Sequence, residues 1–129
     1  MSVGVLSAYM VLDFTDERGE IGPMLMGDLG ADVIRVETPS GSKARRAPPF
    51  LETDKTDLRS LQFLAFNRNK RSICLDPSSD ADKAILAALI ARTDFIVESC
   101  QQLKSTWGVS FDDAKALNTE KLRYHKIVI

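Results

Sequence analysis

At 129 residues the chain has room for one domain with a core of its own and not for two. Its 17 Lys and Arg against 18 Asp and Glu leave a net charge of −1, which excludes a global basic field for nucleic acid or for an anionic membrane. No apolar run approaches the roughly 20 residues of a membrane span, and the N-terminus lacks the apolar core of a signal peptide, so a soluble, cytoplasmic protein is expected.

Val3 to Phe14 is apolar and β-branched, and Met10 to Phe14 within it reads as a strand buried on both faces, the first of a parallel sheet. Thr15 to Gly19, with Asp16, Glu17 and Arg18, is a polar turn at the carboxyl end of that strand, where open α/β sheets place their ligand crevice. Ile21, Met24, Leu25 and Leu29 then recur at helical spacing, with Pro23 tolerated in the first turn. Gly30 suits the left-handed end of that helix, and Ala31 to Glu37 follows as a second strand.

Thr38 to Pro49 is a loop punctuated by Pro39, Gly41, Pro48 and Pro49, with Lys43, Arg45 and Arg46 as a small basic cluster. It reads first as a solvated connection and second as a phosphate-grasping loop. Leu58 to Phe66 is a short helix running into the polar turn Asn67-Arg68-Asn69-Lys70-Arg71-Ser72, where Asn67 or Asn69 suits a left-handed conformation. A strand from Ser72 to Leu75 is stopped by Asp76 and Pro77.

Ser79 with Asp82 resembles a capping box, and Ala81, Ala84, Ile85, Ala88 and Leu89 form the apolar stripe of a helix expected to pack on the sheet. Phe95 to Glu98 is a fourth strand ending in polar residues Ser99 to Gln102, and a short helix near Leu103 to Trp107 ends at Gly108. Ser110 and Asp113 cap Ala114 to Leu117, Asn118 ends that turn, and Lys121 to Ile129 reads as a fifth strand. Strands alternating with helices predict a doubly wound parallel α/β sheet of Rossmann-like type. Because the sequence stops at Ile127-Val128-Ile129, inside a predicted strand, a fragment or one piece of a larger chain is expected.

Cys74 and Cys100 form no CxxC, and the single His125 has no neighbour at ligand spacing, so neither a disulfide framework nor a metal site is expected. Both cysteines read as small buried apolar groups. Gly19, Gly22, Gly27 and Gly30 do not form GxGxxG, which argues against a dinucleotide site of the NAD type.

Val-Leu-Asp-Phe-Thr-Asp-Glu-Arg-Gly at 11–19, Leu-Gly-Ala-Asp-Val-Ile-Arg-Val-Glu at 29–37, Asn-Arg-Asn-Lys-Arg-Ser at 67–72, the strand Asp94 to Glu98 and the Leu117-Asn118 step resemble, in order and spacing, the class III CoA-transferases, or CaiB/BaiF family. The resemblance covers nearly the whole chain, as the N-terminal Rossmann-like part of a family large domain. It implies transfer of CoA between carboxylic acids through acyl-CoA thioesters, with coenzyme A or acyl-CoA as substrate, no metal, and an interlocked homodimer or association with the rest of a larger CoA-transferase. Relatives such as α-methylacyl-CoA racemase make an acyl-CoA racemase or isomerase the alternative, and a non-catalytic assembly module is a third reading.

The family's nucleophilic aspartate falls further along than Ile129, and Asp13, Asp28, Asp32 and Asp76 match positions that are structural or near the cofactor, so no catalytic residue is assigned. What the resemblance implies here is part of a CoA pocket: Glu17 and Arg18 after strand one, Thr38 after strand two, Leu75, Asp76, Pro77 and Ser78 after strand three, and Ser99, Cys100, Gln101 and Lys104 after strand four. Several members carry Arg where this chain has Thr38, Asn-Phe for Ser99-Cys100, a further Arg near Thr106, and Gly-Pro for Gly19-Glu20. Lys43, Arg45, Arg46 or Lys104 must then supply the phosphate contact that a bidentate arginine gives.

Overall fold

A computed structural model describes residues 3–51, 59–120 and 123–127, the last of these by backbone alone. Five parallel strands form the sheet: β1 (Met10–Phe14), β2 (Asp32–Glu37), β5 (Arg71–Cys74), β6 (Phe95–Ser99) and β7 (Arg123–Ile127), in the order β5-β2-β1-β6-β7. Strand β1 is central, with Leu12 opposite Ile34 of β2 on one side and Ile96 of β6 on the other. The chain builds outward from β1 through β2 to β5, then crosses to β6 and β7, so its direction of growth reverses between β1 and β6.

Alternation along β1 divides its side chains between two layers. Leu12 and Phe14 join Ile34, Val36 and Ile96 beneath α3 (Asp80–Arg92), α4 (Gln102–Trp107) and α5 (Phe111–Leu117), whose Leu86, Ile90, Leu103, Trp107 and Ala114 complete the larger core. Val11, Val33, Val97 and Ala31 form a smaller core on the opposite face. Between Phe50–Leu51 (β3) and Arg59–Ser60 (β4) runs a separate antiparallel pair, and α2 (Leu61–Asn67) follows it.

Local chemistry sets the helix ends. Ser110 and Asp113 make a reciprocal capping box on α5, and the Ser79 hydroxyl accepts from the Asp82 amide at the start of α3. Asn118, after α5, reaches back to the end of α3, its amide donating to the Ile90 carbonyl at 2.9 Å and the Thr93 carbonyl at 2.7 Å. Gly30 has φ +105°, in the left-handed range expected of it, and a Cβ there would meet the Gly4 Cα at 2.9 Å.

Several expectations change. Of the stripe Ala81, Ala84, Ile85, Ala88 and Leu89, Leu89 packs against the core beside Leu86 and Ile90, while the other four lie on the solvent side of α3. Alanine favours helix without requiring burial, so a stripe made mostly of alanine misidentifies the inner face. In α1 (Ile21–Asp28), Pro23 and Met24 are inward, while Ile21, Leu25 and Leu29 are half-exposed. Neither Asn67 nor Asn69 is left-handed; among the described residues that conformation falls, outside glycine, on Cys100 and Gln101. Both cysteines are exposed rather than buried, Cys74 at the end of edge strand β5 and Cys100 in the left-handed turn after β6. The predicted helix start at Leu58 and the ends of the fifth strand, 121–122 and 128–129, lie outside the described residues.

Candidate functional site

A parallel sheet whose strand order reverses leaves a crevice beyond the carboxyl ends of the two strands at the reversal. Here those strands are β1 and β6, and a cavity of about 360 Å³ opens at their carboxyl side. One wall is the end of β1, Phe14, Thr15 and Asp16. The second is the end of β2 with the loop after it, from Val36 to Lys43 and Arg46, and the third is α4, through Gln102, Thr106 and Trp107.

Beneath the cavity is a cluster of charges taken almost wholly out of water. Arg35 lies mid-strand in β2 with its side chain 3% exposed. Its guanidinium donates to the Thr15 carbonyl at 3.0 Å, the Ser42 hydroxyl at 2.8 Å and the Asn67 side-chain oxygen at 3.1 Å. It also stands 3.3 Å from both Asp13 and Glu20. Thr15 and Ser42 belong to different walls of the cavity, so this single side chain fixes their separation. Lys70 is the second buried cation, donating to Asp13 at 2.7 Å, to Asn67 at 2.9 Å and to the Glu20 carbonyl at 3.1 Å. Asn67 in turn donates to the Glu20 carboxylate at 2.9 Å.

Titration follows from these partners. Burial pushes the Glu20 carboxyl above its ordinary value, against the opposing pull of Asn67, Arg35 and Lys70. Burial also pulls Lys70 down, with Asp13 resisting. For Glu37 burial acts upward, but the Arg45 guanidinium, bonded to both carboxylate oxygens at 2.7 Å, and the Ser42 amide hold it below the usual range. At Asp16 burial likewise acts upward and is outweighed by Arg18 and Ser99, which leave the group low.

Apart from Lys104, which lies within α4, the anticipated site residues follow strand carboxyl ends, and the structure brings them to different places there. Thr38 is in the cavity wall, its hydroxyl 2.9 Å from that of Ser40. In the first turn Arg18 is exposed and Glu17 half-buried, with one carboxylate oxygen out of solvent and without a hydrogen-bond partner among the described residues. The Glu17 carbonyl accepts from Gln62, and Arg18 pairs with Asp16 and contacts the Cys100 sulfur. Ser99 is buried beside the Asp16 amide, and Gln101 and Lys104 are exposed at α4. Leu75 is buried in the core, with its amide donating to the Glu37 carbonyl, and Asp76, Pro77 and Ser78 form a turn in which the Asp76 carboxylate accepts from the Ser78 amide and hydroxyl. Those two bonds hold Asp76 below its ordinary value.

In the basic loop, Lys43–Arg46 forms a 3₁₀ turn. Arg45 is turned to Glu37 and under the Phe63 ring, whose centroid lies 4.2 Å from its guanidinium carbon, while Lys43 and Arg46 line the cavity. Sequence reading missed Arg35, Lys70, Glu20, Gln102 and the cavity face of Trp107. Two signals were present: an arginine inside Val33-Ile34-Arg35-Val36 and an aspartate inside Met10 to Phe14, since a charge in a buried strand needs a partner. Among the described residues no group of His, Cys, Asp and Glu is placed to hold a metal ion, and no helix is long and apolar enough to cross a membrane.

Comparison with known proteins gives a consistent result. The sequence profile of CoA-transferase family III matches residues 6–122. A succinyl-CoA:mesaconate CoA-transferase of Haloarcula hispanica is 38% identical over 98 residues, covering 75% of this chain and 25% of that protein. A formyl-CoA:oxalate CoA-transferase of Streptomyces coelicolor is 36% identical over 120 residues, 92% of this chain and 28% of the relative. Among solved structures, a CaiB/BaiF family protein from Brucella suis superposes with a TM-score of 0.78 at 29% identity, over 97% of this chain and 33% of that one. The chain thus spans about a quarter to a third of the length of these relatives.

Proposed function

The chain belongs to CoA-transferase family III, and from that premise we propose that it is the N-terminal, CoA-binding portion of an enzyme that moves CoA between carboxylic acids. The observation carrying this reading is the cavity at the β1/β6 reversal, walled by hydroxyl, amide and cationic side chains suited to a phosphorylated, hydrogen-bonding ligand. Thr38 is a direct wall residue. Glu17, Arg18, the turn from Leu75 through Asp76 and Pro77 to Ser78, the turn Ser99, Cys100 and Gln101, and Lys104 flank it along the same edge of the sheet.

Transfer needs a carboxylate that attacks the thioester carbonyl and expels the CoA thiolate, giving a mixed anhydride. The thiolate then returns to form an enzyme thioester and releases the first acid. None of the described aspartates near the cavity is free for that attack: Asp13 is held by Thr15 and Lys70, and Asp16 by Arg18. The nucleophile belongs to the part of the enzyme that this chain does not cover. This chain's share of the work is to bind and orient CoA, and a cytoplasmic location and an interlocked homodimer belong to the same reading.

Calorimetry with CoA, and an assay of CoA transfer between two dicarboxylic acids, test it on the natural protein that carries this chain. CoA binding with transfer is the expected result. Binding with exchange of the acyl α-proton but no transfer makes the protein a racemase or isomerase, and absence of CoA binding removes the reading altogether.

A further inference from the structure

We propose that Lys43 and Arg46 are the phosphate-recognising pair of the cavity, an inference that rests on the acyl-CoA reading above. A 3₁₀ helix has three residues per turn, so side chains three apart stack on one side. Lys43 and Arg46 are so spaced on the turn Lys43–Arg46, and both line the cavity. Arg45, a third of a turn before Arg46, points away to the Glu37 carboxylate and occupies it, so that Glu37 does not neutralise the pair.

The acidic side chains in the same walls are already occupied. Glu37 is bonded by Arg45 and the Ser42 amide, and Asp16 by Arg18. Lys43 has no hydrogen bond or ion pair among the described residues, and the one bond of Arg46 is to the neutral Ser40 carbonyl at 3.1 Å. Two exposed cations therefore face a cavity whose carboxylates are compensated, with the hydroxyls of Thr38 and Ser40 beside them as further donors. An ammonium, a guanidinium and two hydroxyls converging on one cavity suit a phosphate, which offers only acceptor oxygens at full charge. Either the 3′-phosphate or the diphosphate of CoA supplies that chemistry.

The test is calorimetric titration of the natural protein and its Lys43→Gln, Arg46→Gln and Lys83→Gln variants with CoA, 3′-dephospho-CoA, pantetheine and adenosine 3′,5′-bisphosphate. Each cavity variant should bind CoA about tenfold more weakly, with pantetheine unchanged and Lys83→Gln like the parent. Dephospho-CoA that is already weak and insensitive to the substitutions identifies the 3′-phosphate; dephospho-CoA that remains sensitive identifies the diphosphate. Unchanged CoA affinity in both cavity variants overturns the pair and leaves the acyl-CoA reading standing. Binding of the bisphosphate that depends on the pair, with no binding of CoA, upholds the pair and overturns that reading. Failure of all four compounds to bind the parent overturns both.

Discussion

The Lys70 ammonium lies 2.7 Å from the Asp13 carboxylate, and both side chains are sealed from solvent, at 1% and 0% exposure. They come from β1 and the turn before β5, so the contact ties the central strand to the far edge of the sheet beneath the cavity. Such a pair gives little net stability over an apolar one, but removing Lys70 leaves the buried Asp13 carboxylate to Arg35, which stands 3.3 Å away and is shared with Glu20. Lys70→Met should therefore lower the free energy of unfolding by about 3–5 kcal/mol. The double variant Asp13→Asn/Lys70→Met should recover part of the loss, because the undercompensated carboxylate is then a neutral amide and Arg35 keeps Glu20 and Glu37 as partners. Urea unfolding of the three proteins measures this, and equal losses in the single and double variants would contradict it.

The buried Glu20 and Glu37 should leave opposite marks on the pH dependence of stability. Glu37 is held below its ordinary 4.5 in the folded state, so its contribution is complete above that value and is lost as pH falls through the folded pKa. Glu20 is raised above 4.5, so the folded state binds more protons between 4.5 and the folded pKa, and stability declines as pH rises through that window. Glu37→Gln should flatten the acid limb, and Glu20→Gln should remove the decline above it. Unfolding midpoints from about pH 3 to about pH 7 test both.

What the sequence made legible was the information carried by near neighbours. Ser110-Asp113 and Ser79-Asp82 caps, the left-handed Gly30 and the apolar runs of β1, β2 and β6 each depend on residues a few positions apart. The carboxyl edge of the sheet followed as the site, because parallel order dictates it. The side chains that build that site did not follow. Arg35 meets Asp13, Asn67 and Ser42 through the fold alone: its place inside an apolar strand signals that it needs partners, but nothing within one turn of sequence says which. The inner faces of α1 and α3 do not follow from spacing for a related reason: helices with apolar residues on several sides show no single stripe, and neighbouring elements select the face. Strands of two residues, as in β3 and β4, are too short to show a period of two.

Gly30 carries a double constraint. Its φ of +105° is strained for any residue with a Cβ, and the added atom would stand 2.9 Å from the Gly4 backbone, which has no flexible end to move aside. Gly30→Ala should cost about 1–3 kcal/mol and loosen the segment before β1, whose Leu6 amide donates to the Leu29 carbonyl. Thermal unfolding together with amide exchange at Leu6 reads both effects. Wild-type stability with unaltered exchange would show that the turn adapts.

Trp107 is the sole tryptophan of the chain, and it joins core to cavity. Its ring meets Phe14 edge to face at 5.3 Å, and the same residue forms part of the α4 wall. The indole is 9% exposed and packs on Phe14, so its emission should be blue-shifted. A ligand filling the cavity alters the polarity at the exposed margin of the ring without disturbing Phe14. Titration with CoA should therefore change Trp107 emission in a saturable manner, with the midpoint found by calorimetry. Trp107→Phe keeps the aromatic contact and should abolish the optical change while leaving affinity within about threefold, since edge-to-face pairs contribute about 1 kcal/mol. A signal that persists in Trp107→Phe comes from elsewhere in the natural protein, and CoA binding that leaves Trp107 emission untouched places the ligand outside this cavity.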